Sequence, residues 1–480
     1  MNGEDIRAKA IGEGANLGVT QAGRIAFAAS GGRINTDFID NSAGVDCSDN
    51  EVNIKIPLNR EMTEGRLAFE DRNTLLKEMT DDVAGLVLED NRLQTLALSL
   101  SERNAAAALP SHIRVIEMLE AQGRLNRAVE GLAPNDVLNR RAQDARGLTR
   151  PELAVLLSHS KLALQAVIEK SDLAKDALLE PILIDAFPPA MQERFGKAIT
   201  EHRLRDQIIA TKLANRIINR LGIVIPFELA EEEAVDLAQL TSAYVTIDQI
   251  FDIEALWTAI EDAAMPEEGR LELFLAAGTA VRRHMSDLLR ATGGRIDPAE
   301  IVATLRTGVT KLEAALPSLL KNEAKLTSEA LRARLNAAGA DATLIERITR
   351  LDEMDGAIGN AMLARATGVD ELAATHAYVR LGEALALDWA RAAVSRYTPA
   401  DAWERLLMAG LARDFEQLRL DFLARMPADD PVERVDRWLS DHAANVAQFR
   451  GLIQRAQTSV SPSPAMLAQI ASQARALLAR

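Results

Sequence analysis

The chain has 480 residues, enough for several domains with sizeable hydrophobic cores. Its 70 acidic and 55 basic residues give a formal charge of −15, which repels a phosphate backbone, so we expect no nucleic-acid partner. The N-terminus lacks the features of a signal peptide, and no apolar run approaches the ~20 residues of a membrane span. The single cysteine, Cys47, excludes an intrachain disulfide and favours a reducing compartment. We therefore expect a cytoplasmic protein with no membrane partner.

The chain opens with a pattern of strand, turn, helix and strand. Arg7–Gly12 is a short run that predicts a strand, and it enters a turn rich in glycine and small polar residues. Gln21–Ala29 is typical of a short helix with Thr20 as its N-cap. Arg33–Ile39 alternates apolar and polar residues, which predicts a second strand.

A loop and a helix are predicted next. Asn41–Ser48 consists of small and polar residues and predicts a loop. The spacing of Ser48 and Glu51 favours a capping box and a helix that begins there, ending near Pro57. Alternating apolar residues at positions 52, 54 and 56 also permit a strand. Residues 1–58 therefore predict the end of an α/β domain of Rossmann-like type whose beginning lies elsewhere.

From residue 59 onward the apolar residues recur three and four apart, so we predict a helical domain over 59–480, with a division into two lobes near residue 293. Thr149–Glu152 has the pattern of a capping box, which marks a strong helix start. The predicted helices include Ser111–Leu125, Arg203–Leu221, Asp248–Ala264, Glu267–Thr292, Ala342–Ala366, Asp370–Val394, Ala400–Arg425 and Val432–Gln457. The fold class expected overall is mainly α with a partial α/β part.

Common chemical motifs are missing from the sequence. The glycines at positions 12, 14 and 18 miss the dinucleotide-binding fingerprint by one residue. The acidic group at positions 37, 40, 46, 49 and 51 lacks the spacing of a calcium loop, and the six histidines lie far apart. We therefore predict no metal site.

Two motifs resemble a known family. Gly14-Ala15-Asn16 and Asn41–Ser48 (N-S-A-G-V-D-C-S) resemble the end of the nucleotide-binding domain in amino-acid dehydrogenases of the glutamate dehydrogenase type. The longer runs G-E-G-A-N-L-G-V-T-Q and I-D-N-S-A-G-V-D-C-S-D-N-E-V-N-I-K-I, followed by a long helical region, are similar to the large bacterial NAD-specific glutamate dehydrogenases. Ala43 stands where the smaller members have glycine.

The resemblance implies a role for four residues. Asn16 is expected beside the cofactor, and Asn41 is expected to contact the nicotinamide carboxamide. Val45 is expected to line the glutamate pocket, and Ser48 to bind the distal carboxylate of the substrate. An amide can pair with a carboxamide in both directions and a hydroxyl can donate to a carboxylate, so the residue types suit these roles.

The implied reaction transfers hydride from L-glutamate to NAD, after which water releases 2-oxoglutarate and ammonia. The family's catalytic lysines and aspartate precede these motifs, so we expect no catalytic residue in this chain, one wall of the active site, and no activity from the chain alone. We expect a homo-oligomer. A different interpretation also fits an acidic chain with only 4% aromatic residues: a non-catalytic helical scaffold or oligomerisation domain.

Overall fold

The structure is a computed structural model that describes residues 2–426, 429–459 and 461–479. The described residues are mainly helical with two short strands, so the mainly α prediction is confirmed. They form two compact units. Unit 1 contains the residues up to Glu228 together with Asp236–Thr241. Unit 2 contains Leu229–Val235 together with the residues from Ser242 onward.

Unit 1 begins with a small parallel pair of strands joined by a helix. Strand β1 (Ala10–Ile11) pairs with β2 (Arg33–Ile34), with Ala10 opposite Arg33. Helix α1 (Gln21–Ala29) connects them, and the Thr20 hydroxyl accepts from the Gly23 N–H at 3.2 Å, which confirms the predicted N-cap. Both strands are shorter than predicted. The Rossmann-like domain stays a prediction.

The loop and helix boundaries predicted after β2 were wrong. The predicted strand residues 37–39 lie in helix α2 (Asp37–Asp40), and the predicted loop lies mostly in helix α3 (Ser42–Thr63). Ser48 is therefore inside α3 and does not cap it. Its hydroxyl donates to the Gly44 carbonyl at 3.4 Å, and Pro57 lies within the helix instead of ending it.

The rest of unit 1 is built around two long helices that pack on each other. Helix α8 (Arg150–Lys170) starts with the predicted capping box, and α11 (Arg205–Leu221) ends at Gly222, where φ is +81°. Apolar residues of both helices are fully buried at their contact, as the spacing predicted. The other helices of this unit are α4 (Phe69–Glu78), α5 (Thr80–Arg103), α6 (Leu109–Ala121), α7 (Asn135–Gln143), α9 (Glu180–Ile184) and α10 (Pro189–Thr200).

Unit 2 is helical throughout its described residues. The chain passes between the units within α12 (Ile225–Glu232) and α13 (Leu237–Phe251). The helices that follow are α14 (Ile253–Asp262), α15 (Glu267–Thr292), α16 (Pro298–Leu319), α17 (Asn322–Ala337), α18 (Ala342–Glu353), α19 (Ala357–Thr367), α20 (Glu371–Leu385), α21 (Leu387–Arg396), α22 (Ala402–Ala424), α23 (Pro431–Asp441), α24 (Ala443–Gln457) and α25 (Pro464–Leu478).

Several long helices predicted for unit 2 are each two helices. The predicted helix 267–292 is confirmed, whereas 248–264, 342–366, 370–394 and 432–457 are interrupted. Asp252, Gly356 and Ala386 have positive φ at three of these interruptions, which breaks the helical ladder. The domain boundary at residue 58 and the lobe boundary near residue 293 stay predictions. In the part of the chain that the structure describes, no helix combines the length and apolarity needed to cross a bilayer.

Candidate active site

A buried charge cluster fixes the turn at positions 12–20. Arg24 donates to both carboxylate oxygens of Glu13, at 2.6 and 2.8 Å, and also pairs with Asp37 at 3.0 Å. The Val19 N–H donates to Glu13 at 2.7 Å, and the Leu17 N–H donates to Asp37 at 2.9 Å. Burial by itself raises the pKa of Asp37, but the Leu17 N–H and the Arg24 charge outweigh it and lower the pKa. The turn is therefore held by hydrogen bonds to Glu13 and to an ionised Asp37.

A second set of polar contacts ties this region to α8. Asp40 accepts hydrogen bonds from the Glu13 N–H at 2.9 Å and from the Asn35 side chain at 2.7 Å. Arg150, at the start of α8, donates to the oxygen of Asn35. Asp37 and Asp40, which stood out in the sequence, are thus occupied in holding the backbone. Among the residues described, no group of histidine, cysteine or acidic side chains is arranged to hold a metal ion.

Three of the four predicted site residues line one cleft of about 890 Å³ in unit 1. They are Asn16, Asn41 and Val45, and the Asn41 amide donates a hydrogen bond to the oxygen of Asn16. Ser48 is exposed and does not line this cleft. The cleft brings together residues that are 25 or more positions apart because α2 returns the chain to the turn before α3 begins.

Hydrogen bonds from α5 hold the first turn of α3 in place. The Ser42 hydroxyl contacts Asn91, and it also accepts from the Gln94 side chain at 2.5 Å. Asn91 is itself fixed by donating to the Val87 carbonyl at 2.8 Å. Ser42, Asn91 and Gln94 all line the cleft, so hydrogen bonds between α3 and α5 fix this part of its polar lining.

Helices α3, α5, α8 and α11 each supply a charged side chain to the cleft. Lys212 of α11 pairs with Asp90 of α5 at 2.6 Å. Burial, followed by repulsion from Asp90, raises the pKa of Asp46 to about 6, and Lys212 opposes this rise. Burial lowers the pKa of Lys161, on α8, to about 8. Lys161 and Lys212 were not predictable from the sequence, because they lie on helices without any motif, far along the chain from residues 1–58.

Comparisons with known proteins decide the family. Residues 145–476 match the family model described as "Glutamate dehydrogenase, C-terminal", and residues 1–101 match "Bacterial NAD-glutamate dehydrogenase, catalytic domain". The chain belongs to the bacterial NAD-glutamate dehydrogenase family. The resemblance read from residues 14–16 and 41–48 is therefore confirmed.

Relatives in this family are similar along almost the whole chain. NAD-specific glutamate dehydrogenases from Pseudomonas aeruginosa, Halomonas elongata and Mycobacterium tuberculosis are 34%, 32% and 33% identical to it. The matches cover 98%, 95% and 99% of this chain but only 29%, 28% and 30% of those relatives. The chain thus spans less than a third of the length of these NAD-glutamate dehydrogenases.

The cleft combines residues from both regions of the NAD-glutamate dehydrogenase family. Asn16, Asn41 and Val45 lie in the region that matches the catalytic domain, whereas Lys161 and Lys212 lie in the region that matches the C-terminal model. The region that matches the C-terminal model therefore contributes side chains to the same cleft as the region that matches the catalytic domain.

Proposed function

We propose that the chain is part of an NAD-dependent glutamate dehydrogenase, which converts L-glutamate, NAD and water to 2-oxoglutarate, ammonia and NADH. One observation carries the proposal: Asn16, Asn41 and Val45, which the resemblance implied for cofactor and substrate, converge on one cleft. The names of the relatives support the same reaction and the same cofactor.

The polar atoms at this edge of the cleft fit a carboxamide. The hydrogen bond from Asn41 to Asn16 uses the nitrogen of one side chain and the oxygen of the other. The Asn41 oxygen and the Asn16 nitrogen remain available as one acceptor and one donor, the pair that a nicotinamide carboxamide complements. When bound, NAD supplies the hydride acceptor. The role of this chain is to hold and orient it.

Val45 and Ser48 are proposed to contact the substrate. They lie three residues apart on α3, so they share one face of the helix. Val45 is 67% exposed and offers an apolar surface to the methylene groups of glutamate. The Ser48 hydroxyl donates to the Gly44 carbonyl at a long 3.4 Å, so it can rotate and donate to a carboxylate instead.

Two substitutions in the full-length native protein test these assignments. Asn41→Ala is expected to lower kcat at least tenfold, because the nicotinamide loses an oriented partner. Ser48→Ala is expected to raise the KM for glutamate about threefold to tenfold while kcat is kept, because it removes one hydrogen bond to a charged group. Steady-state NADH production gives both values.

Asn59→Ala is the matched control, since Asn59 is exposed on α3 and does not line the cleft. It should leave both constants unchanged. Wild-type kinetics in both Asn41→Ala and Ser48→Ala would contradict the site assignment.

The scaffold interpretation predicts a different outcome. We also propose that the helical region assembles subunits of a homo-oligomer. Trp403 and Leu407, one turn apart on α22, support this because they are 80% and 41% exposed.

If the full-length protein forms a stable oligomer that does not bind NADH, the scaffold interpretation without a catalytic role would be favoured. Robust glutamate-dependent NADH production by the 480-residue chain alone would contradict the proposal that it forms only one wall of the site.

A further inference from the structure

Lys161 is a cleft residue that makes no direct polar contact with the residues described, although the charge of Asp90 acts on it and by itself raises its pKa. It extends from α8 and is half-buried in the lining that includes Asn16, Asn41 and Val45. Lys212, the other lysine of the lining, is paired with Asp90 at 2.6 Å. Within residues 2–426, 429–459 and 461–479, Lys161 forms no hydrogen bond or ion pair. Three ammonium N–H donors are therefore available in the cleft.

The surroundings of Lys161 make a free ammonium costly. Its neighbours on α8, Leu157 and Leu164, are fully buried, and burial lowers the pKa of Lys161 to about 8. At pH 7 the side chain is still mainly protonated. A partly dehydrated cation with unused donors gains more from an anionic ligand than a fully hydrated surface lysine does.

The other charges of the cleft indicate which anion fits. Asp46 and Asp49 also line the cleft, on α3, so it offers carboxylates from α3 and an ammonium from α8. This combination suits a zwitterion that has both an ammonium and a carboxylate group. An amino acid has both, whereas a simple anion would also meet the repulsion of the aspartates.

We propose that Lys161 binds a carboxylate of the amino-acid substrate, so that the C-terminal helical region supplies a substrate-binding residue. This inference rests on the proposed function. It gives the substrate a charged partner inside the cleft, in addition to the Ser48 hydroxyl proposed above.

The test uses the full-length native protein and the change Lys161→Met, which keeps the length of the side chain and removes the charge. The KM for L-glutamate and the inhibition constant of glutarate, a five-carbon dicarboxylate, are expected to rise at least tenfold. The KM for NAD should stay within twofold. Lys161→Arg, which keeps the charge, should retain most of the affinity for both compounds.

Lys170→Met is the matched control, because Lys170 is exposed near the end of the same helix. It should leave all three constants unchanged. If Lys161→Met lowers the melting temperature by more than a few degrees, Lys161→Gln replaces it. Unchanged constants for glutamate and glutarate, or an equal rise in the KM for NAD, would overturn the inference.

A failure of the proposed function gives a different result. In that case the wild-type protein produces no NADH from glutamate. Calorimetric titration with L-glutamate then tests Lys161 separately: binding by the wild type that is lost in Lys161→Met supports the inference. Equal binding by both proteins, or binding by neither, overturns it.

Discussion

Arg24 supplies the positive charge that allows two carboxylates to be buried beside the turn at positions 12–20. Its side chain and that of Glu13 are each only 4% exposed, and Asp37 lies on the other side. In such a cluster the three side chains depend on one another, because removing one leaves an uncompensated charge out of water. The position of Asn16 in the cleft follows from this cluster.

Arg24→Met is therefore expected to lower the free energy of unfolding by about 3–5 kcal/mol. Urea denaturation followed by circular dichroism measures this value. Arg33→Met is the control, because Arg33 is exposed on the neighbouring strand, and it should change stability by less than about 0.5 kcal/mol. Equal effects of the two substitutions would show that the buried charges do not support the turn.

Residues that line the cleft were predictable only where they lay in a motif. Asn16, Asn41 and Val45 belong to short runs with a known chemical meaning, and the structure brings them to one cleft. Arg24 and Lys161 have ordinary helical surroundings in the sequence. Their burial depends on which helices pack over them, and a single sequence does not contain that information.

At the scale of elements, α3 shows how a proline can lie inside a helix. Pro57 has no N–H, so the carbonyl of Asn53 lacks its usual partner four residues ahead. The Nε2 atom of His202 lies 3.1 Å from that carbonyl, and the Leu204 N–H donates to Nδ1 of the same ring at 3.0 Å. Because Nδ1 is an acceptor here, Nε2 carries the proton and donates to Asn53.

His202→Ala is expected to destabilise unit 1 by about 2 kcal/mol, because a partly buried carbonyl and a partly buried N–H lose their partner. In a Pro57→Ala background the cost should be smaller, since the new N–H at position 57 can bond to Asn53. Denaturant unfolding of the four proteins gives the coupling. His376→Ala, at an exposed helical position, is the control. An equal loss of stability on His202→Ala in both backgrounds would show that the N–H at position 57 does not replace the hydrogen bond from His202.

The presence of helices was predictable for most of the chain, but the residues at which they end were less predictable. Apolar spacing found α8, α11 and α15, and Gly222 marked a visible end. The breaks at Asp252 and Ala386 were missed because neither residue is a usual left-handed residue in the way that glycine is. Tertiary packing imposes positive φ there, and the local sequence continues as if helical.

For the whole molecule, His112 is expected to make stability depend on pH. Burial lowers its pKa from an ordinary 6.5 to about 4. The unfolded chain therefore binds the proton first as the pH falls, so stability is fully present above about 6.5 and is lost towards pH 4. The difference corresponds to about 3 kcal/mol.

His112→Gln removes this titration, so its stability relative to the wild type should improve by about 3 kcal/mol between pH 7 and pH 4. The raised pKa of Asp46 acts in the opposite direction, but it is present in both proteins, so the comparison isolates His112. Urea midpoints measured at intervals of half a pH unit give the two curves. Parallel curves would contradict a lowered pKa at His112.

Helix α3 connects the first residues of the cleft to the loop between α10 and α11. It starts directly after Asn41, and its 22 residues extend about 33 Å. The loop between α10 and α11 contacts this helix at two points: His202 hydrogen-bonds to the Asn53 carbonyl, and Glu201 forms an ion pair with Arg60. A small rotation of α3 that starts in that loop would change the orientation of the donors in the cleft, although residues 201–203 do not line the cleft themselves. Laboratory evolution for faster turnover should therefore select changes at residues 201–203, which do not line the cleft.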